Sequence, residues 1–444
     1  MGVIYKNLFI VQPILKILKS IFGGEKISST TVTANNEWLV WARKTANYNK
    51  EEIAKKMNVN IDVIEKWENT GNISYDKLVE IANYYQRPPN MFFNVKKPTY
   101  DEPITDLRTI QSKRVYKLTP QMTFEFRDAK IKRLNLLDLE TEMEDLTITD
   151  FAFKNIQYKD PYKIAVIVSN QIGMNANRRK REKLTYWIDR VEQLGVLVFQ
   201  FYGIDVEYMR GYALYYDKLP IIGINNKEHE NGQKFTLFHE LAHLILKSEG
   251  FSNLNNYFLP NTEKKCNKLA AEILIPSNDL DYKMSFYHNI TNEKLRIIIP
   301  KLANHYKVSK EVVVRRLLDN GYLNHEYYLN KEEWDSFIAQ KKRNIPIKDD
   351  TSEKEEITDK PVENEIKNVE SEEIDEVIEK IADNTKYRGK ATEALRRNGK
   401  FYTKSVLEAY HENAIQIDDV LNFLDIPLEV FYVIKQKMYS EEES

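Results

Sequence analysis

A chain of 444 residues, 42% hydrophobic and 30% charged, is long enough for two to four domains and can bury a core in most of them. A net charge of −2 excludes a strongly basic nucleic-acid-coating protein, so any DNA contact must be local. The one cysteine, Cys266, excludes an intramolecular disulfide framework and fits a reducing compartment, and no run is apolar enough to insert stably in a membrane.

Residues 1–34 form an arm. Val3 to Phe22 is rich in Ile, Leu and Phe but is interrupted by Lys6, Pro13, Lys16 and Lys19, with no small-residue cleavage site. It reads as a packing arm, with an amphipathic membrane-surface helix as the other reading.

Residues 35–97 read as five short helices: Trp38 to Lys44, Lys50 to Met57, Ile61 to Asn69, Tyr75 to Tyr85 and a brief turn at Asn90 to Phe93. The tight connection at Met57–Asn60 gives a helix-turn-helix, with Asn49 and Asn60 as N-caps. The run Ile53-Ala54, Val59, Val63-Ile64, Trp67-Glu68 and Gly71 resembles the phage-repressor-type (XRE-like) helix-turn-helix family. That resemblance places Lys50, Glu51, Asn60, Asp62, Lys66 and Glu65 where family members meet DNA. Asp62 and Glu65 oppose phosphate, since phosphate contacts supply most non-specific affinity. The other reading is a module that holds another protein, or a second copy of itself in a homodimer.

Residues 98–345 are expected to form the next domain. Helices are predicted at Thr119 to Glu144, Pro161 to Ile172 and Glu182 to Gln193. Two β-branched runs, Gly195 to Phe201 and Pro220 to Asn225, read as strands. The second runs up to the chemically decisive segment. Ile222, Gly223, Ile224 and Asn225 are therefore expected to be an exposed edge strand that pairs with an extended substrate, with a structural strand as the alternative.

In Phe238-His239-Glu240-Leu241-Ala242-His243, two histidines stand four residues apart and so share one helix face. Both imidazoles can reach one ion, and Glu240, about a quarter-turn round, can act on a water there without becoming a ligand. Catalytic zinc usually takes a third protein ligand. The predicted helix from Asn261 or Thr262 to Pro276 supplies it in Glu263, with Asn267 one turn on as a supporting residue. Glu272 points about 180° away from Glu263, so both cannot serve. Cys266, on the apolar face with Leu269, Ala270 and Ile273, reads as core rather than as a ligand. His229, Tyr282, Tyr287 and His288 are open candidates for stabilising an oxyanion.

Residues 346–376 form an acidic linker: Asp349 to Glu376 carries thirteen Asp or Glu against three Lys and no aromatic residue. Residues 377–444 recover a globular pattern, with helices at Thr403 to Tyr410, Asp418 to Leu424 and Pro427 to Met438. Arg388, Lys390, Arg396, Arg397, Lys400 and Lys404 make this part locally basic, suited to DNA or an acidic partner.

Together these residues resemble the ImmA/IrrE family of metallopeptidases. The likeness lies in Phe235 to His243, in Glu263-x-x-Cys266-Asn267-x-Leu269-Ala270-Ala271-Glu272-Ile273-Leu274-Ile275-Pro276, and in the approach from Trp187 to Phe199. It extends to Val308-Ser309, Arg315-Arg316-Leu317 and Gly321-Tyr322-Leu323. The resemblance implies a zincin-like domain in a mainly α protein with a small β-sheet (α+β). It implies Zn2+ as cofactor and a bacterial or phage-borne cytoplasmic regulator that cleaves a repressor or toxin-associated protein under stress or during mobile-element transfer. The tail is similar to one on relatives encoded beside a nuclease-type toxin, which suggests an antitoxin role. The expected activity is zinc-dependent peptide hydrolysis with Glu240 as general base. The alternative is a DNA-binding regulator or antitoxin whose peptidase fold is a binding scaffold.

Overall fold

In a computed structural model of the chain, residues 30–96, 118–143, 146–157, 160–174, 183–247, 260–288, 290–323 and 385–440 are described. They form a mainly helical α+β protein with two small sheets. Most of the arm and all of the acidic linker lie outside the described residues. The chain divides into two compact units. The first holds the described residues up to Leu269 together with Glu393–Leu428; the second holds those from Ala270 to Thr392 and from Glu429 onward.

At the start of the first unit, β1 (Thr31–Thr33) pairs antiparallel with β2 (Asn72–Ser74). Around them lie α1 (Asn36–Thr45), α2 (Lys50–Lys56), α3 (Ile61–Thr70), α4 (Tyr75–Tyr85) and a 3-10 turn at Pro89–Phe93. The five expected helical pieces are all present. Asn49 caps α2 in a reciprocal capping box with Glu52, whereas Asn60 sits at the N-cap of α3 without a side-chain bond. Small Ala54 is buried with Ile53 and Ile64, which lets α2 and α3 pack closely. A buried Arg43–Glu68 pair, with bonds of 2.6 and 3.1 Å, ties α1 to α3.

α5 (Pro120–Glu142) is the spine of this unit. Its Arg127 donates to the carbonyls of Thr45, Tyr85 and Gln86, satisfying the C-terminal ends of α1 and α4. Arg133, two turns on, donates to the carbonyls of Lys218 and Leu219. One long helix therefore holds both the helix-turn-helix module and the sheet that follows.

After α6 (Pro161–Gln171) and α7 (Leu184–Glu192) comes a three-stranded sheet of β3 (Leu197–Phe201), β4 (Gly211–Leu214) and β5 (Ile221–Asn225). Its order is β3-β5-β4, with β5 parallel to β3 and antiparallel to β4. β5 is therefore central. Ile222, Gly223, Ile224 and Asn225 do not form an exposed substrate-binding edge as expected, because both of their backbone edges are already paired. The physical sign is the uninterrupted burial of all five β5 residues, which marks a strand covered on both faces. The strand with a single partner strand beside the key helix is β4, too short and too mixed in composition to stand out in the sequence.

α8 (Glu230–Ile245) packs against β4, β5 and α7. Leu237, Phe238, Leu241, Ala242, Leu244 and Ile245 are all at most 3% exposed. Each large side chain among them contributes about 1.5–3 kcal/mol by burial. α9 (Pro260–Leu274) follows; it begins slightly before the Asn261 or Thr262 cap expected from sequence.

The second unit contains the end of α9, α10 (Ser277–Met284), α11 (Asn292–Tyr306) and α12 (Lys310–Asp319). Its centre is Arg316, 1% exposed, which meets the Glu272 carboxylate, the Ile275 carbonyl at 3.0 Å and the Ser277 hydroxyl at 2.8 Å.

The tail is formed by α13 (Thr385–Asn398), α14 (Lys400–His411), α15 (Ile417–Leu424) and α16 (Leu428–Ser440). Residues 393–428 belong with the sheet. Asn135 donates to the Tyr402 hydroxyl at 3.0 Å, Lys132 reaches the Arg397 carbonyl at 3.3 Å, and Tyr402 meets Phe199 edge-on. Between α13 and α14, Gly399 has φ +73°, and a side chain there would stand 2.6 Å from the Val198 carbonyl oxygen. The outer edge of β3 is thus covered by the tail. Arg397, read from sequence as part of a basic docking face, instead donates to the carbonyls of Leu424 and Asp425 and pairs with the Asp425 carboxylate at 3.0 Å.

Candidate metal centre

The site is built on one face of α8 and the first turn of α9. His239 and His243 stand one turn apart, and their Nε2 atoms lie 3.0 Å from each other. Glu263 on α9 brings Oε2 to 3.3 Å from His239 Nε2 and Oε1 to 3.3 Å from His243 Nε2. One donor atom from each residue can be chosen so that all lie within 4.8 Å of one another; this is the one such three-residue His, Cys, Asp or Glu group among the described residues.

This donor set fits a divalent metal ion. A tetrahedral ion bound at about 2.0–2.1 Å by imidazole and carboxylate separates its ligand atoms by about 3.3 Å. The spacings here are of that order, with Glu263 turning one carboxylate oxygen to each histidine. Glu263 Oε1 is shielded from solvent and has no hydrogen-bond partner among the described residues, a costly state for a carboxylate oxygen unless a cation faces it. Two imidazoles and a carboxylate are also the ligand types zinc prefers.

Glu272 takes no part. It is held by Arg316 and by the backbone N–H and hydroxyl of Ser277, at 2.8 and 2.9 Å. Cys266 is fully buried and its Sγ lies 3.1 Å from His243 Nδ1, on the far side of the ring from the donor cluster. Asn267, the expected supporting residue, is half-buried, and its side chain makes no hydrogen bond among the described residues. The contact with His243 thus comes from the residue read as core. The available signal was its position three residues after Glu263, on the same helical face.

Glu240 is 4% exposed and faces β4. A Cβ on Gly211 would lie 3.1 Å from Glu240 Cγ and 2.5 Å from Thr236 Cγ2, so only glycine lets the strand approach this closely. Behind this contact, the Thr236 hydroxyl donates to Glu228 at 2.9 Å, and Arg210 lies 3.5 Å from the same carboxylate. Burial pushes the Glu228 carboxyl above its usual range, against the opposing Thr236 bond and the Arg210 and His229 charges. On the opposite face of β4, the Tyr212 hydroxyl donates to Glu125 at 2.9 Å and the ring packs edge-on against Phe126. β4 is gripped from both sides.

Among the candidates for oxyanion stabilisation, His229 is accounted for otherwise. It is the N-cap of α8, its Nδ1 accepting from Asn231 N–H at 3.3 Å, and lies about 15 Å along the helix from His239. Of the DNA-facing candidates, Lys50 is engaged by Glu65 at 2.8 Å. Asn60, Asp62 and Lys66 are exposed around the start and outer face of α3.

Residues 191–318 match the Peptidase M78 family model, described as an IrrE N-terminal-like domain. That span contains the sheet, α8, the three donors, Glu240 and all but the last residue of α12. The match supports a metallopeptidase-type domain akin to the ImmA/IrrE family. No curated protein matches the chain. No helix among the described residues is long and apolar enough to cross a membrane.

Proposed function

We propose that this chain is a regulatory zinc-dependent endopeptidase that cleaves a transcriptional repressor or another regulatory protein. The observation that carries the reading is the convergence of His239, His243 and Glu263 at 3.0–3.3 Å beside the buried carboxylate of Glu240. Bound there, zinc would polarise a peptide carbonyl and lower the pKa of water towards neutrality.

The residues divide the remaining work. His239, His243 and Glu263 hold the ion. Glu240, locked against Gly211, removes a proton from the attacking water and delivers it to the leaving amine. β4, whose outer edge pairs with no strand among the described residues, offers that edge to an extended substrate segment through main-chain hydrogen bonds. A general main-chain grip of this kind suits a flexible loop or linker of a protein substrate. The regulatory role rests on the helix-turn-helix-like module held by Arg127 on the same unit.

Glu240→Gln tests the reading. Co-expressed with the product of the neighbouring gene, the wild type is expected to cleave that protein; the variant should retain its zinc and leave the protein intact. Equal cleavage by both removes Glu240 from the reaction. Tight DNA binding that is indifferent to His239→Ala, with no cleavage by either form, would favour a DNA-binding regulator or antitoxin instead.

A further inference from the structure

We propose that Cys266 is the positioning partner of His243: its sulfur accepts a hydrogen bond from Nδ1–H and so fixes the imidazole with Nε2 turned to the metal. This rests on the metallopeptidase reading above.

Cys266 Sγ lies 3.1 Å from His243 Nδ1, while Nε2 of the same ring lies 3.0 Å from His239 Nε2 and 3.3 Å from Glu263 Oε1. A ring nitrogen that ligates a cation must present its lone pair. The proton of the neutral imidazole then sits on Nδ1, and Nδ1 must donate. Sulfur is therefore the acceptor, and the tautomer required for ligation is the one this contact selects. Metal-bound histidines commonly donate their second N–H to a carboxylate, a carbonyl or water, which sets ring orientation and ligand basicity. Here a thiol does so, from a fully buried position, against a His243 side chain 1% exposed.

One helix supplies both contacts. Glu263 and Cys266 are three residues apart on α9, so they share a face and bracket the His243 ring at its two nitrogens. Rotation of the ring would break one contact or the other. α9 thereby contributes the third donor and also pre-orients the second. Since sulfur accepts more weakly than oxygen, the gain is mainly in orientation.

The test is zinc affinity, measured on the full chain by competition with a chromophoric chelator, together with the spectrum of the Co2+-loaded protein. Cys266→Val keeps an apolar side chain of similar size but removes the acceptor; Cys266→Ser retains an acceptor. The expected result is zinc binding weakened about 10-fold or more in Cys266→Val, largely recovered in Cys266→Ser, with both variants melting close to the wild type. The Co2+ form should show no thiolate-to-cobalt charge-transfer band. Unchanged zinc affinity in a folded Cys266→Val overturns the proposal and leaves the metal reading intact. So does a charge-transfer band, which would make Cys266 a ligand. Absence of zinc binding by the wild type overturns the metal reading, and this proposal with it.

Discussion

Gly211 and Glu240 lie so close across the interface between β4 and α8 that a methyl group on the glycine would stand 3.1 Å from Glu240 Cγ. The same methyl would meet Thr236 Cγ2 at 2.5 Å and the Gly223 carbonyl oxygen at 2.9 Å, and the latter belongs to backbone that cannot swing aside. Gly211→Ala is therefore expected to move β4 or Glu240 and to cost about 1–3 kcal/mol of stability. Cleavage should fall at least 10-fold while zinc stays bound. Melting curves, metal content and substrate turnover check the three parts, and a fully active alanine variant would contradict the placement of β4.

The seal between the tail and β3 makes a second prediction. Glu192 accepts from Phe401 N–H at 3.2 Å, and Gly399 sits against the Val198 carbonyl. Gly399→Ala adds both backbone strain at positive φ and a steric clash, so it should destabilise the first unit by about 1–3 kcal/mol or more. Chemical denaturation followed by fluorescence measures the loss. A variant as stable as the wild type would mean that the tail does not close this edge.

Glu192 also makes stability depend on pH. Burial pushes its carboxyl up to about 8, with Asp189 adding to the rise and the Phe401 and Val198 N–H groups and Lys400 opposing it. Between about 4.5 and 8 the folded state then binds more protons than the unfolded one, so stability from this group is full below that window and is lost as pH rises through it. The difference between Glu192→Gln and wild type, measured by denaturation at several pH values, should shift in favour of the variant as pH rises. A pH-independent difference would show that the carboxyl is not held up in this way.

Glu272 and Arg316 should behave as a structural pair. Glu272→Ala leaves a buried guanidinium without its carboxylate, which typically costs about 3–5 kcal/mol. The expected signature is a lower melting temperature in the second unit; a neutral effect would argue that Arg316 finds another anion.

The two halves of the site differed in how legible they were. His239 and His243 announce themselves because a four-residue spacing fixes a shared helical face whatever the tertiary context. Glu263 could be separated from Glu272 by the same angular argument, since nine residues place them on opposite sides. The substrate strand could not be read in this way. Ile221 to Asn225 has the composition of a strand, but whether it lies at the centre or the edge depends on where β3 and β4 add, and strand order is set by non-local packing. Cys266 looked like core for an equally local reason: burial is visible in an apolar stripe, but a 3.1 Å contact with a histidine 23 residues earlier is not. The tail showed the same limit, because the pattern of its helices does not say that Tyr402 docks on Phe199.

The central claim is that His239, His243 and Glu263 form one metal site while Glu272 stays outside it. Metal content measured by mass spectrometry on purified wild type, Glu263→Gln and Glu272→Gln tests it most directly. The expected result is close to one zinc per chain in the wild type and in Glu272→Gln, and little or none in Glu263→Gln. Zinc retained in Glu263→Gln but lost in a folded Glu272→Gln would contradict the account.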